Sequence, residues 1–381
     1  MMNVTSVKRI HQSDWTDSGV RFLRARDIVA AAKNEEPDDY LYISKEKYEE
    51  YSALSGKVGV SDLLVTGVGT IGVPYLVRNL EPLYFKDGNI IWFQNSDKID
   101  GKFLFYSFSA EQIQGFINES AGIGTVGTYT IESGKKTPIS LPNQIEQAKV
   151  GEFFQQLDNL ITLHQRKYDK LQVLKKAMLE KMFPKNGSSV PEIRFKGFTD
   201  AWEQRKLGDC FTERCESMPD GELISVTIND GIKKFSELGR HDNSNDDKSK
   251  YKKVCAGDIA YNSMRMWQGA SGCSPYEGIV SPAYTVLTPN SGINSKCMAY
   301  QFKLPATIHT FKINSQGITS DNWNLKFPAL SEIEIYVSPY EQEQAKIAAY
   351  FANLDHLITL HQRELEKLQN IKKSMLEKMF V

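Results

Sequence analysis

The sequence has few of the residues that mark secreted or membrane proteins. Its 381 residues include only five cysteines, an odd number without a CxxC pair. That pattern fits reduced thiols and argues against a disulfide framework or a zinc site. Apolar runs stay well below the roughly 18 residues that span a bilayer, and no apolar segment follows the first basic residues. We therefore expect a cytoplasmic protein with no membrane segment.

Excess charge of one sign and catalytic motifs are also missing. The chain has 46 basic and 47 acidic residues, so its bulk charge neither favours nor excludes a polyanionic partner. Walker A, HExxH and GxSxG patterns do not occur. Two GxGxxG matches, at Gly67–Gly72 and Gly122–Gly127, lack the following helix that a dinucleotide site needs and are interpreted as turns. We expect no catalytic residue and no metal site.

The sequence contains a long internal repeat. Residues Gln147–Phe183 and Gln344–Phe380 are identical at 24 of 37 positions and share the heptapeptide LITLHQR. Apart from Gly151, both copies lack glycine and proline, and each follows a proline that suits the start of a helix. The repeat predicts two helices of roughly 40 residues, each about 60 Å long.

Apolar residues recur every seven positions in both predicted helices, which is the pattern of a coiled-coil seam. The residues assigned to this seam are Leu157, Leu160, His164, Leu171, Leu174, Met178, Leu354, Leu357, His361, Leu368, Ile371 and Met375. Two equal helices in one chain most simply pack on each other, which predicts an antiparallel, pseudo-twofold spacer. A single histidine in each helix is more often packed than metal-bound, so both histidines are interpreted as structural.

The segments outside the helices are rich in glycine, proline and β-branched residues in short alternating runs. In the first of them the predicted strands are VRFLRARDIV, DLLVTGVGTIG, NIIWF and KTPISL, and SKEKYEEYSAL is a predicted helix. The predicted fold class is α/β (α+β), with two mixed domains separated by a pair of long helices. The predicted boundaries are 1–143 for the first domain, 144–183 for the central helix, 184–340 for the linker and second domain, and 341–381 for the C-terminal helix.

Side chains suited to reading DNA bases cluster in AYNSMRMWQGASG, residues 260–272. The candidates are Asn262, Arg265, Trp267 and Gln268, since arginine pairs with guanine and asparagine or glutamine with adenine. The alternative is that the methionines and the tryptophan of this stretch pack in a core while the arginine lies on the surface.

The first domain offers cations for phosphate contacts. Arg24 and Arg26 are expected on one face of a strand, and Lys135 and Lys136 follow in SGKKT. Exposed loop charge without a function is an equally good explanation of these residues.

Four motifs together resemble one family. They are GFTDAWEQRKLGD, GDIAYNSMRMWQGASG with GIVSPAYTVL, LLVTGVGTIG, and the two LITLHQR helices. The chain resembles the specificity subunit of type I restriction-modification systems over nearly its whole length. The resemblance implies a non-catalytic subunit with two target recognition domains, each of which reads half of an interrupted double-stranded DNA target.

The resemblance also implies partners. The paired helices would dock two methyltransferase subunits, restriction/translocase subunits would join them, and S-adenosylmethionine, ATP and Mg would be bound by those partners. One stretch departs from the family pattern: TSVKRIHQ at Thr5–Gln12 stands where WEQRKLGD is expected from the repeat, which predicts an altered opening strand in the first domain. A coiled-coil adaptor with two binding domains that do not bind DNA is the alternative function.

Overall fold

The computed structural model describes residues 2–95, 98–121, 127–185, 187–228, 231–239, 241–242, 244–318 and 322–380. The chain divides into two compact units, Met1–Arg166 with Gln362–Val381, and Lys167–His361. Each unit combines a mixed domain of strands and helices with a part of each long helix.

The first unit is built on two four-stranded sheets. Its elements, in chain order, are β1 (Asn3–Thr5), β2 (Trp15–Thr16), β3 (Val20–Leu23), α1 (Ala25–Ala32), β4 (Leu41–Ile43), α2 (Lys45–Ser55), β5 (Leu63–Thr66), β6 (Pro74–Leu76), β7 (Leu83–Phe85), β8 (Ile90–Gln94), α3 (Gly101–Ser107), α4 (Glu111–Ser120), α5 (Ile131–Lys135) and the start of α6 (Gln144–Lys181). One sheet has the order β1-β8-β5-β6 and is antiparallel; the other has the order β2-β4-β3-β7, in which β3 and β7 are parallel.

The central strand β5 begins with three apolar residues because it is covered on both faces. Leu63 and Val65 belong to the hydrophobic cluster that includes Phe154 of α6. Leu64 points to the opposite face and joins the cluster around Phe22, since successive side chains of a strand alternate between faces. One sheet therefore separates two cores.

The predictions for local structure in the first unit are partly confirmed. LLVT and IIWF form strands, and SKEKYEEYSAL forms α2, whose start is capped by Ser44 Oγ accepting from Lys47 N at 3.1 Å. VRFLRARDIV is wrong as one strand, because it ends at Leu23 and the chain continues as helix α1. KTPISL is also wrong as a strand, since residues 137–141 are irregular.

The second unit repeats this plan. Its elements, in chain order after the end of α6, are β9 (Glu203–Lys206), α7 (Leu207–Cys210), β10 (Phe211–Glu213), β11 (Ile224–Thr227), β12 (Gly231–Lys234), β13 (Lys252–Val254), β14 (Ile259–Asn262), β15 (Ser271–Cys273), β16 (Gly278–Val280), β17 (Tyr284–Pro289), α8 (Ser295–Gln301), α9 (Pro305–Ile313), α10 (Phe327–Ser331), β18 (Glu334–Val337) and α11 (Glu341–Met379). The antiparallel order β10-β17-β14-β15 matches β1-β8-β5-β6 of the first unit, and β9-β18, β11-β12 and β13-β16 form separate pairs.

The opening of the first unit is altered relative to the second, as the sequence predicts. β1 pairs with β8 as β10 pairs with β17, so Asn3–Thr5 corresponds to β10. Among the described residues of the first unit, no strand takes the place that β9 holds in the second.

The predicted long helices are confirmed as α6 and α11, and in each unit they run antiparallel. In the first unit, Asp158 accepts from Lys372 Nζ at 2.5 Å, and the Phe154 and Phe380 rings lie 5.6 Å apart. In the second, Lys175 Nζ lies 2.5 Å from Asp355 Oδ1, and the Phe183 and Phe351 rings lie 6.1 Å apart. From one contact to the next in each unit, the residue numbers rise on α6 and fall on α11. The two helices therefore run in opposite directions.

The seam between the helices differs in part from the predicted one. Leu157 and Leu354 are buried, while His164, Leu171, Met178, His361, Leu368, Ile371 and Met375 are half-buried. Three residues were assigned wrongly, because Leu160, Leu174 and Leu357 are exposed. A seam alternates steps of four and three residues, so from Leu354 it continues through Ile358 and Leu365, which are both buried.

Candidate nucleic-acid interface

In the second unit, the predicted base-reading segment forms the turn between β14 and β15. A 3-10 helix covers Met266–Gln268, and Gly269 follows with φ +83°, a left-handed conformation that suits glycine. Met266 is fully buried in the core of the unit. This buried side chain anchors the middle of the turn, so its neighbours are presented from a fixed backbone.

Arg265 and Gln268 are exposed on either side of that anchor. Within the part of the chain that the structure describes, neither side chain has a hydrogen-bond or ion-pair partner. Their donors and acceptors are available to a ligand.

Asn262 and Trp267 are half-buried and hold the turn together. Asn262 Oδ1 accepts from Met264 N at 3.0 Å, and Trp267 Nε1 donates to Met264 O at 3.0 Å. The packing alternative is therefore correct for Met266, while Met264 is exposed. Asn262 and Trp267 shape the turn, and Arg265 and Gln268 are left to make contacts.

Two residues that the sequence did not indicate stand beside this turn. The Trp323 ring packs edge-on against Trp267, with centroids 5.2 Å apart, and Lys312 Nζ lies 5.4 Å from the Trp323 centroid. Leu325 N donates to Ser263 O at 2.9 Å, which ties the two segments together. The only sequence signal was an aromatic residue within the polar stretch DNWNLK, more than 50 positions away.

The matching turn in the first unit joins β5 to β6, because these strands hold the same sheet positions as β14 and β15. It is the first GxGxxG match, Gly67–Gly72, and its interpretation as a turn is confirmed: Gly69 and Gly72 have φ of +79° and +78°. Gly69 and Thr70 are exposed. Of the second match, residues 122–126 lie outside the described residues.

Arg24 is an internal ion-pair partner and not a strand residue. Its guanidinium donates to Asp27 at 2.8 Å and 3.0 Å and to Asp39 at 2.9 Å, and its side chain is 12% exposed. Burial opposes the charged form, but the hydrogen bonds and charges of the two carboxylates outweigh it and raise the pKa of Arg24. Arg26 lies in α1 and pairs with the same Asp39.

The strand prediction for these arginines failed because of a helix cap. Asp27 Oδ2 accepts from the backbone N of Arg24 at 2.8 Å, and an acidic residue at the third helical position stabilises a helix start. The carboxylate thus turns the chain from strand to helix.

Lys135 and Lys136 lie at the end of the short helix α5. Lys135 Nζ donates to Glu132 Oε1 at 2.7 Å, which lowers the pKa of that carboxyl. Lys136 is exposed, and among the described residues it has no ion-pair partner. Of the predicted cations of the first unit, Arg26, Lys135 and Lys136 are exposed, whereas Arg24 is not.

The described ranges contain no candidate metal site and no candidate membrane span. No group of three His, Cys, Asp or Glu side chains there could hold a metal ion. His164 and His361 lie within the long helices and have interacting neighbours. No helix in those ranges is long and apolar enough to cross a bilayer.

Comparison with known proteins shows which family this chain matches. The model of the type I restriction modification DNA specificity domain matches residues 23–173 and 199–370. A putative type I restriction enzyme specificity subunit of Haemophilus influenzae is 30% identical over 125 residues, which cover 32% of this chain and 31% of that protein.

Two further proteins are similar. The type I restriction enzyme MjaVIII specificity subunit of Methanocaldococcus jannaschii is 26% identical over 192 residues, which cover 47% of this chain and 42% of that protein. This chain thus spans less than half the length of these two relatives. The crystal structure of a type I restriction-modification S subunit from M. genitalium covers 100% of this chain and 94% of its own, with a TM-score of 0.59 at 14% identity, a likeness of fold.

Proposed function

The chain belongs to the type I restriction-modification DNA specificity family, and on that premise we propose that it recognises a bipartite, gapped target in double-stranded DNA. Each globular domain, within the predicted boundaries 1–143 and 184–340, reads one half of the target, and the paired helices set the gap. One observation carries this proposal: both units have the same four-strand order, while the turns at the same sheet position differ in sequence. A common scaffold with different turns suits two different readers.

In the second domain we propose Arg265 and Gln268 as the base-contacting residues. Both are exposed and available, and the buried Met266 between them fixes their position. Arginine is suited to the O6 and N7 acceptors of guanine, and glutamine to adenine. Asn262 and Trp267 support the turn, and Lys312 and Lys136 are candidates for phosphate contacts.

In the first domain the corresponding turn carries only small side chains at its exposed tip, Gly69 and Thr70. A glycine-rich turn lets the backbone come close to DNA, and a threonine methyl can contact the methyl group of thymine. The two halves of the target should therefore be read by different chemistry. Arg24 is excluded from this role, because its guanidinium is occupied by two carboxylates.

We propose that the chain is non-catalytic and brings two methyltransferase subunits and restriction/translocase subunits to the DNA. Exposed leucines on the long helices support a docking role, since Leu160 of α6 and Leu357 of α11 are 44% and 40% exposed. S-adenosylmethionine, ATP and Mg would be bound by those partners. A cytoplasmic location is supported by the five free cysteines.

The test is a methylation map of DNA from cells that co-express this chain with its methyltransferase subunit. Single-molecule sequencing that detects N6-methyladenine should return one bipartite, gapped motif. A half-motif repeated in inverted orientation would indicate that only one domain reads DNA. A stable complex without any methylated motif would contradict the proposal and favour the adaptor function.

A further inference from the structure

In the second unit, a lysine from another segment holds the turn that carries Arg265 and Gln268. Lys303 lies between α8 and α9, and its ammonium group donates to the carbonyl oxygen of Gly269, the residue that closes the turn, at 2.5 Å. The same group donates to the carbonyl oxygen of Ile228, next to the end of β11, at 2.8 Å. One side chain therefore ties the turn to the β11–β12 hairpin.

The backbone that carries Lys303 is itself well anchored. The preceding residue, Phe302, is fully buried in the core of the unit, and the following residue, Leu304, is the N-cap of α9. α9 packs against the 3-10 helix of the turn, and a Cβ atom on Gly269 would lie 3.1 Å from Ile308 Cδ1 of α9. The ammonium group thus reaches the turn from a helix pair that already contacts it.

The first unit has the same arrangement with a different donor. Gln114 of α4 donates from Nε2 to the carbonyl oxygen of Gly72, which closes the β5–β6 turn, at 2.8 Å. The same Nε2 donates to the carbonyl oxygen of Phe108, next to the end of α3, at 2.5 Å. Here too, one side-chain nitrogen ties the turn to a second element.

The two glycines hold equivalent places in their units. Gly72 and Gly269 have positive φ angles of +78° and +83°. Each stands two residues before the next strand, β6 or β15, and these strands have the same position in sheets of the same order. The two hydrogen bonds are therefore made to the same carbonyl of the fold.

The helices that supply the donors are also equivalent. Three residues separate α3 from α4 and α8 from α9. Gln114 and Ile308 are each the fourth residue of their helix, and each has an atom 3.1 Å from a Cβ atom built on the glycine of its unit. Ile308 has no polar group, and in its unit the donor is Lys303. Because the two donors differ in type and in position, this hydrogen bond is not a remnant of the internal repeat.

The held carbonyl lies close to the exposed side chains of each turn. Gly269 directly follows Gln268, and Gly72 comes two residues after Thr70. A peptide group fixed at the glycine limits how far these side chains can shift. Contacts to a base need such support, because a binding arrangement has to be held within about 0.5 Å and a bent hydrogen bond weakens steeply.

We propose that Gln114 and Lys303 are positioning residues for base recognition, each of which holds the turn of its own unit in the orientation that recognition requires. This inference rests on the proposed function of the two turns. Both residues act through the carbonyl groups of Gly72 and Gly269 and not by contact with DNA. Loss of either donor should therefore relax base preference in one half of the target and leave binding to unrelated DNA unchanged.

The experiment uses the variants Lys303→Met and Gln114→Met, which remove the donor nitrogen and keep an unbranched side chain. Methylation mapping and competition binding with the assembled complex measure base preference. Each variant should reduce the preference for the cognate base pairs about 5- to 10-fold, in one half of the motif only, and the two variants should affect different halves. The salt dependence of binding should not change, because neither residue contacts a phosphate.

Two exposed residues of the same types provide matched controls. Gln112 lies on α4 two positions before Gln114, and Lys206 of β9 pairs with Glu332 at 2.7 Å. Gln112→Met and Lys206→Met make the same chemical changes without removing a hydrogen bond to either glycine. Both should keep the original base preference. Circular dichroism checks that all four variants remain folded.

A second measurement examines the turns without DNA. Hydrogen–deuterium exchange of residues 262–272 should be at least about 5-fold faster in Lys303→Met, because a turn that loses its support opens more often. Exchange of residues 63–76 should increase in the same way in Gln114→Met. Each variant should leave the turn of the other unit unchanged.

Three results would overturn the inference. Unchanged exchange in both turns would mean that the two donors do not hold them. Unchanged base preference in both variants, in a complex whose unaltered form discriminates between bases, would mean that recognition does not need this support. For Lys303→Met, weaker binding to unrelated DNA with a salt slope smaller by about one would identify the lysine as a phosphate contact.

Failure of the proposed function itself gives a different result. The unaltered complex would then show no base preference, which is seen before any variant is made and would remove the basis of this inference as well.

Discussion

At the scale of single residues, neighbouring carboxylates decide what an arginine can do. Arg24 is enclosed by Asp27 and Asp39 and belongs to the structure of the first unit. Arg265 is exposed and, within the described chain, has no carboxylate partner. Both looked alike in the sequence, because Asp39 is 15 positions from Arg24 and only folding brings the two together.

Arg265→Ala should weaken specific DNA binding by about 10- to 100-fold, since a bidentate base contact contributes about 1–3 kcal/mol. The measurement is a competition binding assay with the assembled complex and the motif found by methylation mapping. Binding to unrelated DNA should change much less, and assembly with the partners should be normal.

Arg265→Lys is the matched control for that prediction. Lysine keeps the positive charge but not the planar pair of donors, so a base contact should be lost in both variants. Full recovery of specificity by lysine would mean that Arg265 contacts a phosphate, which would contradict its role as a reader.

Burial of Tyr129 predicts a loss of stability at alkaline pH. Its side chain is 1% exposed, and desolvation raises the pKa of the phenol to about 12. The folded pKa lies above the unfolded value of about 10, so this stabilisation is complete below pH 10 and is lost as pH rises through 12, by up to about 3 kcal/mol.

The test is chemical denaturation between pH 9 and 12. Tyr129→Phe should lower stability at neutral pH, because the hydrogen bond to Thr137 is lost, and should make the alkaline decline shallower. An unchanged slope would mean that Tyr129 titrates as it does in the unfolded chain.

At the scale of elements, the sequence predicts best those that depend on local composition. The long helices could be predicted, because their residues are strong helix formers with a seven-residue apolar period. VRFLRARDIV could not be predicted as strand followed by helix without recognising Asp27 as the cap. KTPISL has a strand-like composition, yet it remains irregular because a strand requires a partner, and none of the described residues supplies one.

The seam predicts different effects for two leucines three positions apart. Leu354 is 6% exposed and packs in a cluster with Phe183 and Phe351, while Leu357 is 40% exposed. Leu354→Asp should lower the free energy of unfolding by about 3 kcal/mol or more, through the lost packing and the buried charge. Leu357→Asp should change it by less than about 0.5 kcal/mol.

Urea denaturation of both variants measures the change in the free energy of unfolding. If Leu357→Asp destabilised the chain as much as Leu354→Asp, the assignment of the seam to Leu354 and Ile358 would be wrong. A pull-down with the methyltransferase subunit tests the proposed docking role of the exposed leucines. Weaker recruitment by the folded Leu357→Asp variant would support that role.

At the scale of the whole molecule, one fold occurs twice with different turns. The repeat and the family resemblance could be read from the sequence, because the two long helices are identical at 24 of 37 positions. The correspondence of Gly67–Gly72 with the turn after Asn262 could not be read from the sequence, since it follows from the shared order of strands and not from sequence similarity. Trp323 and Lys312 were missed for the same reason: folding brings distant segments to one surface.

The two turns should act on separate halves of the target. Thr70→Ala should change base preference by about 5-fold at a position in one half of the methylated motif, and Arg265→Ala should relax only the other half. Methylation mapping of both variants and of the double variant measures this. Effects of both substitutions on the same half would refute the assignment of one reader to each unit.

Because the last helix completes the core of the first unit, the order of synthesis affects when that unit can finish folding. The core around Phe154 includes Phe380, and Asp158 is paired with Lys372. A ribosome must add about 200 residues between these partners, which takes about 10–40 s at roughly 5–20 residues per second. During that interval the apolar side of early α6 lacks the cover that Phe380 provides, so the domain that is made first is completed last.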